Sequence, residues 1–317
     1  MIGDVFAYLV FFLVIALTYA LACLGLNLQW GFTGLFNVGV AGFVAVGAYT
    51  SAILTAPANP ERLGGVAWPI AAGWVGAALA TGAVALGVGL VTMRFRHDYL
   101  AISTFGIAVT IQLLATNLVG LTGGPFGIHG VPRPFADVVA SPLGRNVVYL
   151  VVVVVLVGAV YAGLERLVRS PWGRVLRGLR EDEAAAAALG KSPATFRLQA
   201  FTIGAMVMGL AGAVYAHFVG FVAPEDFLPI LTFQVWTMLV VGGAGNNRGA
   251  VVGALVVWAL WSASGGALAA ILPHALQARG AALQTVLIGA GLAAVLLVRP
   301  RGLCGEETVV SPHAVAE

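Results

Sequence analysis

The sequence predicts an all-α polytopic membrane protein, a bundle of about eight or nine transmembrane helices with one short helix in a charged cytoplasmic loop. Three observations predict it. Only 9% of the 317 residues are charged and 60% are hydrophobic, whereas a water-soluble domain carries about 25% charged residues. The charges are bunched, so that residues 5–60, 63–93, 99–132, 198–224, 227–247, 249–278 and 280–298 contain none. A helix needs about 20 apolar residues to cross the bilayer core, and these runs approach or exceed that length, the first providing for two crossings.

The expected crossings are 5–26, 33–55, 66–92, 99–121, 146–167, 198–220, 229–245, 249–272 and 281–298. "ALA" at 20–22 resembles a signal-peptidase site, but the start "MIGD" has no basic region and the sequence after it is again apolar. The first segment is therefore read as a retained span. Between it and the second, "LGLNLQWGFTG" has the character of a broken or re-entrant turn, and the seventh span is short. Residues 1–302 form one transmembrane domain, interrupted by the loop 168–197, and 303–317 form a short tail.

Basic residues collect on the cytoplasmic side of membrane proteins. With the loop 168–197 placed inside, alternation also puts the C-terminus there. Twelve of the 16 basic residues then lie inside, against Arg62, Arg133, Arg145 and Arg279 outside. The 42 glycines include Gly34, Gly39, Gly42 and Gly47, then Gly204, Gly209 and Gly212, then Gly245, Gly249 and Gly253. Small residues let helix backbones approach closely in lipid, so they point to a tight bundle with irregular helices. "GLFNVGVAG" (34–42) and "GNNRGAVVG" (245–253) echo each other faintly, as repeats in transporters do.

Residues 165–197 hold 11 of the 29 charged side chains. Ser170, Pro171 and Gly173 mark a break, and "RVLRGLREDEAAAAALG" then reads as one helix of about four turns, stopped by Gly190 and Pro193. "GKS" at 190–192 has the ending of a phosphate-binding loop. That motif needs a glycine five residues before Gly190 and a strand ahead of it; here Ala185 sits in a helical alanine run. Nucleotide binding is not expected, and Lys191 is assigned to the helix C-terminal dipole. Arg174, Arg177 and Arg180 recur every three residues on one broad face. Glu181 lies within reach of Arg177, and Glu183 of Arg180. Ala184 to Ala188 give a narrow surface suited to a groove. A solvated helix whose arginines meet anionic lipid headgroups is the alternative.

The block Glu183-Ala184-Ala185 with Gly190 resembles the EAA motif of ABC-importer permeases, although Leu189 stands where that motif usually has its glycine. "GFTGLFNVGVAGFVAVGAYTSAIL" (31–54) and "DYLAISTFGIAVTIQLLATNLVGLTGGPFGIHGVP" (98–132) resemble branched-chain amino acid permeases of the LivM type. So do "FTIGAMVMGLAGAVYAHFVGFVAP" (201–224), "VVGGAGNNRGAVVGA" (240–254) and "RPRGL" (299–303). The resemblance runs through nearly the whole chain in order, with Val40 standing where many relatives have His. It implies a permease subunit of an ATP-driven importer for branched-chain or other hydrophobic amino acids, in the bacterial inner membrane. The implied partners are a second permease, identical or not, two ATP-binding subunits and a periplasmic binding protein. Arg174, Arg177, Arg180, Glu181, Glu183, Ala184, Ala185 and Gly190 would form the ATPase-coupling helix. ATP would be used by the partners, with no cofactor on this chain, and no nucleic-acid partner is expected.

No catalytic constellation is apparent. The five histidines are scattered without metal-ligand spacing, and Cys23 and Cys304 form neither a metal motif nor a disulfide framework. His217, beside Tyr215, reads as a satisfied histidine at the membrane interface. An amide facing lipid is costly unless paired, so Asn27, Gln29, Asn37, Gln112, Asn117 and Gln234 are expected to face the interior. They would bond between helices or line a weakly polar path, with Asn37, Gln112, Asn117 and Gln234 as the pathway candidates. Gln112 and Asn117 lie five residues apart, about 140° around a helix, so one channel need not take both. A path without buried charge suits a neutral or zwitterionic solute with an apolar side chain. The alternatives are an ABC permease for urea, amides or sugars, and an ion-coupled secondary transporter, which the lack of ionisable groups in the spans disfavours.

Overall fold

A computed structural model describes residues 2–58, 63–93, 97–135, 139, 141–271, 280, 283, 284, 286, 289, 290, 293, 297–299 and 301–306. The chain runs through α1 (Ile2–Gln29), α2 (Val40–Thr55), α3 (Ile70–Thr92), α4 (His97–Asn117) and the single turn α5 (Val119–Thr122). A two-residue strand β1 (Ile128–His129) precedes α6 (Pro142–Arg169), α7 (Pro171–Glu181), α8 (Glu183–Ala188) and α9 (Pro193–Val219). Strand β2 (Phe221–Val222), a 3-10 turn (Pro224–Phe227), α10 (Pro229–Gly242) and α11 (Asn247–Ile271) follow. The protein is thus an all-α, multi-pass membrane helical protein. Six of these helices are long and apolar enough to cross a bilayer, and α2 and α10 are shorter apolar helices. The expected ninth crossing, 281–298, lies largely outside the described residues.

Helix α9 is the central post. Phe201, Ala205, Met208 and Ala213 are fully buried on it, and it packs against α1, α2 and α3. Glycines set those distances: a Cβ at Gly47 would run into the backbone of Gly209, and one at Gly204 into the carbonyl of Gly25. Lipid offers little hydrophobic drive for helix association, so dispersion at close range has to supply it. Phe43 of α2 fills the seam against Phe201, the rings meeting edge-on at 5.5 Å between centroids. Strands β1 and β2 pair antiparallel, Ile128 opposite Val222, just beyond the C-terminal end of α9. The α7–α8 elbow precedes the other end of that helix, about 40 Å away for its 27 residues.

The expected second crossing, 33–55, is corrected. Gly34 takes a left-handed φ of +74°, and the chain stays non-helical to Gly39, so α2 begins seven residues later with only 16 residues. Backbone inside a membrane must find partners within the protein. Here Val38 N–H donates to Thr104 Oγ1 at 3.0 Å, Gly39 N–H to Asn37 Oδ1 at 2.7 Å, and Trp236 Nε1 to the Asn37 carbonyl at 2.9 Å. Helix α10, 14 residues long, likewise follows the non-helical stretch 220–228. At 1.5 Å per residue, α2 and α10 span about 24 and 21 Å, short of the ~30 Å hydrocarbon core. The faint echo between 34–42 and 245–253 has a physical counterpart: Gly34 and Gly245 are both left-handed and both pack on the Arg180 side chain.

Candidate functional site

The helix expected over 174–190 is two helices. Pro171 starts α7 directly after Ser170, and the chain breaks at Asp182 (φ −151°, ψ 103°), whose side chain accepts from Ala185 N–H at 3.0 Å. Aspartate is a strong N-cap: its carboxylate satisfies an amide that the break would otherwise leave without a partner. Helix α8 then ends in a Schellman motif. Lys191 N–H donates to the Ala186 carbonyl at 3.2 Å and Gly190 N–H to that of Ala187 at 2.9 Å, with Gly190 at φ +76°. The "GKS" resemblance is therefore a helix stop, in which these amides are spent on carbonyls.

Leu176 and Leu179 bury the inner side of α7. The three arginines divide. Arg174 and Arg177 open onto a cavity of about 350 Å³ shared with Arg169, Glu165 and Glu306. Arg180 turns into the protein. Its Nη1 donates to the Gly31 carbonyl, and its Nη2 meets both carboxylate oxygens of Glu306, at 2.9 and 3.0 Å, and Glu181 at 2.8 Å. Burial acts to lower the Arg180 pKa, but hydrogen bonds and charge from Glu306 and Glu181 outweigh it, and the net shift is upward. The guanidinium is held charged. Glu181 thus pairs with Arg180 rather than Arg177, and Glu183 with Arg197 at 2.9 Å rather than Arg180. The kink at Asp182 swings Glu183 toward α9. Around α8, Ala184, Ala185, Ala187 and Ala188 are exposed, as is Leu189, at 80%.

Arg180 ties three separate parts of the chain together. Glu306 belongs to the segment expected as a short tail, and its neighbours are docked: Leu303 and Cys304 N–H donate to the Val241 and Gly242 carbonyls at 2.9 and 2.8 Å. Gly31 opens the turn between α1 and α2. Beside it, Asn27 Oδ1 accepts from Gly245 N–H at 2.8 Å, and its Nδ2 donates to Asn247 Oδ1 at 3.0 Å. Asn247 passes the chain on to Glu165 Oε2 at 2.9 Å, and Glu165 pairs with Arg169 at 2.7 Å. These bonds join α7 to the ends of α1, α6, α10 and α11.

The four pathway candidates are not brought together. Asn37 is fully buried, donating to Gln29 Oε1 at 2.7 Å, while Gln29 donates to the Phe201 carbonyl at 2.7 Å. Gln234 accepts from the Tyr19 hydroxyl at 3.1 Å. Gln112 is half-buried beside Phe227 and Thr232. Asn117 is exposed and donates to the Leu113 carbonyl of its own helix at 2.7 Å. His217 is satisfied, by Ser51 at 2.9 Å and the Pro132 carbonyl at 2.6 Å, and it is buried within the protein in the last turn of α9.

A different group emerges in the middle of the bundle. A cavity of about 60 Å³ lies between α1, α2, α9 and α10, lined by Ile15, Val44, Ala211, Leu231 and Val235 together with Tyr19, Tyr215 and Asp226. Asp226 Oδ1 accepts from the Tyr215 hydroxyl at 3.2 Å and Oδ2 from Ala223 N–H at 3.0 Å. The sequence reading missed it, because Asp226 falls in the gap between two uncharged runs and looks like a loop residue. The signal available was the Pro224 and Pro229 pair around it, which forbids a continuous helix there.

A family described as the branched-chain amino acid transport system permease component matches residues 8–296. The high-affinity branched-chain amino acid transport system permease protein LivM of Salmonella typhimurium is 34% identical over 264 residues, 75% of this chain and 59% of that protein. A LivM of Escherichia coli K12 is 34% identical over 77% of this chain and 60% of its own length. The chain thus spans about three fifths of the length of these relatives. The probable LivM of Methanocaldococcus jannaschii is 27% identical over 75% of each chain. No solved structure matches.

Proposed function

The chain belongs to the family of branched-chain amino acid transport system permease components, and from that premise we propose that it is a membrane-spanning subunit of an ABC importer for branched-chain or other hydrophobic amino acids. It works in the bacterial inner membrane with a second permease, two ATP-binding subunits and a periplasmic binding protein. ATP is consumed by those partners, and this chain binds no cofactor. The C-terminus lies in the cytoplasm, the side of α7 and α8.

The observation that carries this reading is the α7–α8 elbow. Its outer knob, Ala184, Ala185 and Ala187 to Leu189, is small, apolar and exposed, shaped to enter a groove on an ATPase. Its inner side is bonded through Arg180 to the α1–α2 turn and to the segment folded under α10. Closure of the ATPases would push the knob. Because packed helices switch between discrete arrangements rather than deform smoothly, the push would move α1 and α10 together and exchange outward for inward access.

Glu183→Lys tests the coupling. It replaces the Glu183–Arg197 pair by two like charges and reverses the charge offered beside the knob. In proteoliposomes containing the complete transporter, ATP hydrolysis should persist while leucine uptake falls about tenfold or more. Uptake at the native rate would remove the docking role from α8.

A further inference from the structure

We propose that the cavity between α1, α2, α9 and α10 is a substrate site within the permease, with Asp226 accepting the α-amino group and the apolar walls taking the tip of a branched side chain. This rests on the amino acid importer reading above.

Place comes first. Ile15, Tyr19 and Ala22 are central on the 28-residue α1, so the cavity lies deep in the bilayer. It sits where the two short helices meet. Ala41 N–H in the first turn of α2 donates to Thr232 Oγ1 in the first turn of α10 at 3.0 Å, and Val44 and Leu231, one turn or less away along those helices, line the cavity. Helices that stop short inside a membrane, with non-helical backbone leading into them, are where transporters place their solutes. Two helix N-termini converging there also create a local positive field suited to a carboxylate.

Chemistry comes second. An ionisable side chain at membrane depth is expensive and marks solute pathways. Among the described residues no Arg or Lys pairs with Asp226, whose two partners are a phenol and an amide. A carboxylate offers about four acceptor positions, so two remain for an ammonium. Tyr19 lines the same cavity. Tyr49 is buried with its ring centroid 6.0 Å from that of Phe227, and its hydroxyl has no partner among the described residues.

Size comes third. A cavity of about 150 Å³ holds benzene, on the order of 25 Å³ per carbon. About 60 Å³ therefore admits two or three carbons, the isopropyl end of a valine or leucine, and the cavity has to widen during transport before the ammonium of the same molecule reaches Asp226.

Capping of the turn 224–227 is the competing role for Asp226, and two variants separate them. Asp226→Asn keeps an acceptor for the turn and removes the charge. In the complete transporter in proteoliposomes, uptake of radiolabelled leucine should fall about tenfold or more, with the thermal midpoint of the detergent-solubilised complex within about 2 °C of native. Val235→Ala enlarges the apolar wall, and should raise the ratio of phenylalanine to valine uptake about threefold or more, a readout that a mere cap would not move. If the native transporter takes up leucine and Asp226→Asn keeps pace with it, or if Val235→Ala leaves the ratio unchanged, the site is refuted and the importer reading stands. If the native transporter takes up none of leucine, isoleucine and valine, the substrate class falls and the site with it.

Discussion

Four stretches of chain meet on the guanidinium of Arg180: its own helix, the Gly31 turn, the Gly245 turn and Glu306. Its side chain is 23% exposed and that of Glu306 35%, so the pair is partly desolvated, and removing one partner costs more than it would at the surface. Arg180→Ala leaves the Gly31 carbonyl and the Glu306 carboxylate short of a donor, a cost of about 1–3 kcal/mol. The expected result is a lower thermal midpoint of the solubilised complex, and leucine uptake that falls further than ATP hydrolysis does. Arg180→Lys supplies charge but not a fork reaching two acceptors at once, so it should restore stability more than transport. Little of this was legible in the sequence. The three-residue spacing of the arginines is correct, but Leu176 and Leu179 set which way α7 rolls, and that depends on α6 and the C-terminal segment. Asp226 was hidden for a similar reason: its depth follows from the packing of α10, not from its neighbours.

The helices divide into those that composition determines and those that single residues cut. α1, α3, α6, α9 and α11 follow from long uncharged runs, and the ends of the first four, with the start of α11, fall within a few residues of expectation. α2 and the α7–α8 elbow do not, because one backbone conformation overrides the run: a left-handed glycine at Gly34 and a capping aspartate at Asp182. Asp182→Ala should cost α8 about 1 kcal/mol and let α7 extend through the break. Amide hydrogen exchange over 183–188 should quicken about fivefold, and unchanged protection would show that packing of Ala186, not the cap, holds the turn. The glycines were legible as packing residues but not by partner. Gly47 faces the Gly209 backbone, whereas a Cβ at Gly158 meets nothing within 4 Å. Gly47→Val should therefore abolish the folded complex in detergent. Gly158→Ala should be tolerated or raise stability by about 0.5–1 kcal/mol through helix propensity alone.

For the molecule as a whole, sidedness is the property on which the mechanism turns. The elbow and the β1–β2 pair sit at opposite ends of α9, with about 40 Å of helix between them. If the Arg-rich end is cytoplasmic, an ATPase can reach α8, and a binding protein can deliver solute near β1 and the 3-10 turn that carries Asp226. Reversal would leave the importer reading without a driver. Two exposed apolar residues report the ends directly: Leu189 at the α8 knob, 80% exposed, and Phe126 ahead of β1, 81% exposed. Cys23 is buried and Cys304 partly so, so Cys304 is replaced by Ser in both reporters. In intact cells, a membrane-impermeant maleimide should label Phe126→Cys and leave Leu189→Cys untouched; in inverted vesicles the pattern should exchange. Adding the purified ATPase subunits to those vesicles should then protect Leu189→Cys, because the knob lies in the groove. Labelling of Leu189→Cys from outside intact cells would invert the molecule. Failure of the ATPase to protect it in vesicles would leave the orientation intact and move the docking surface off α8.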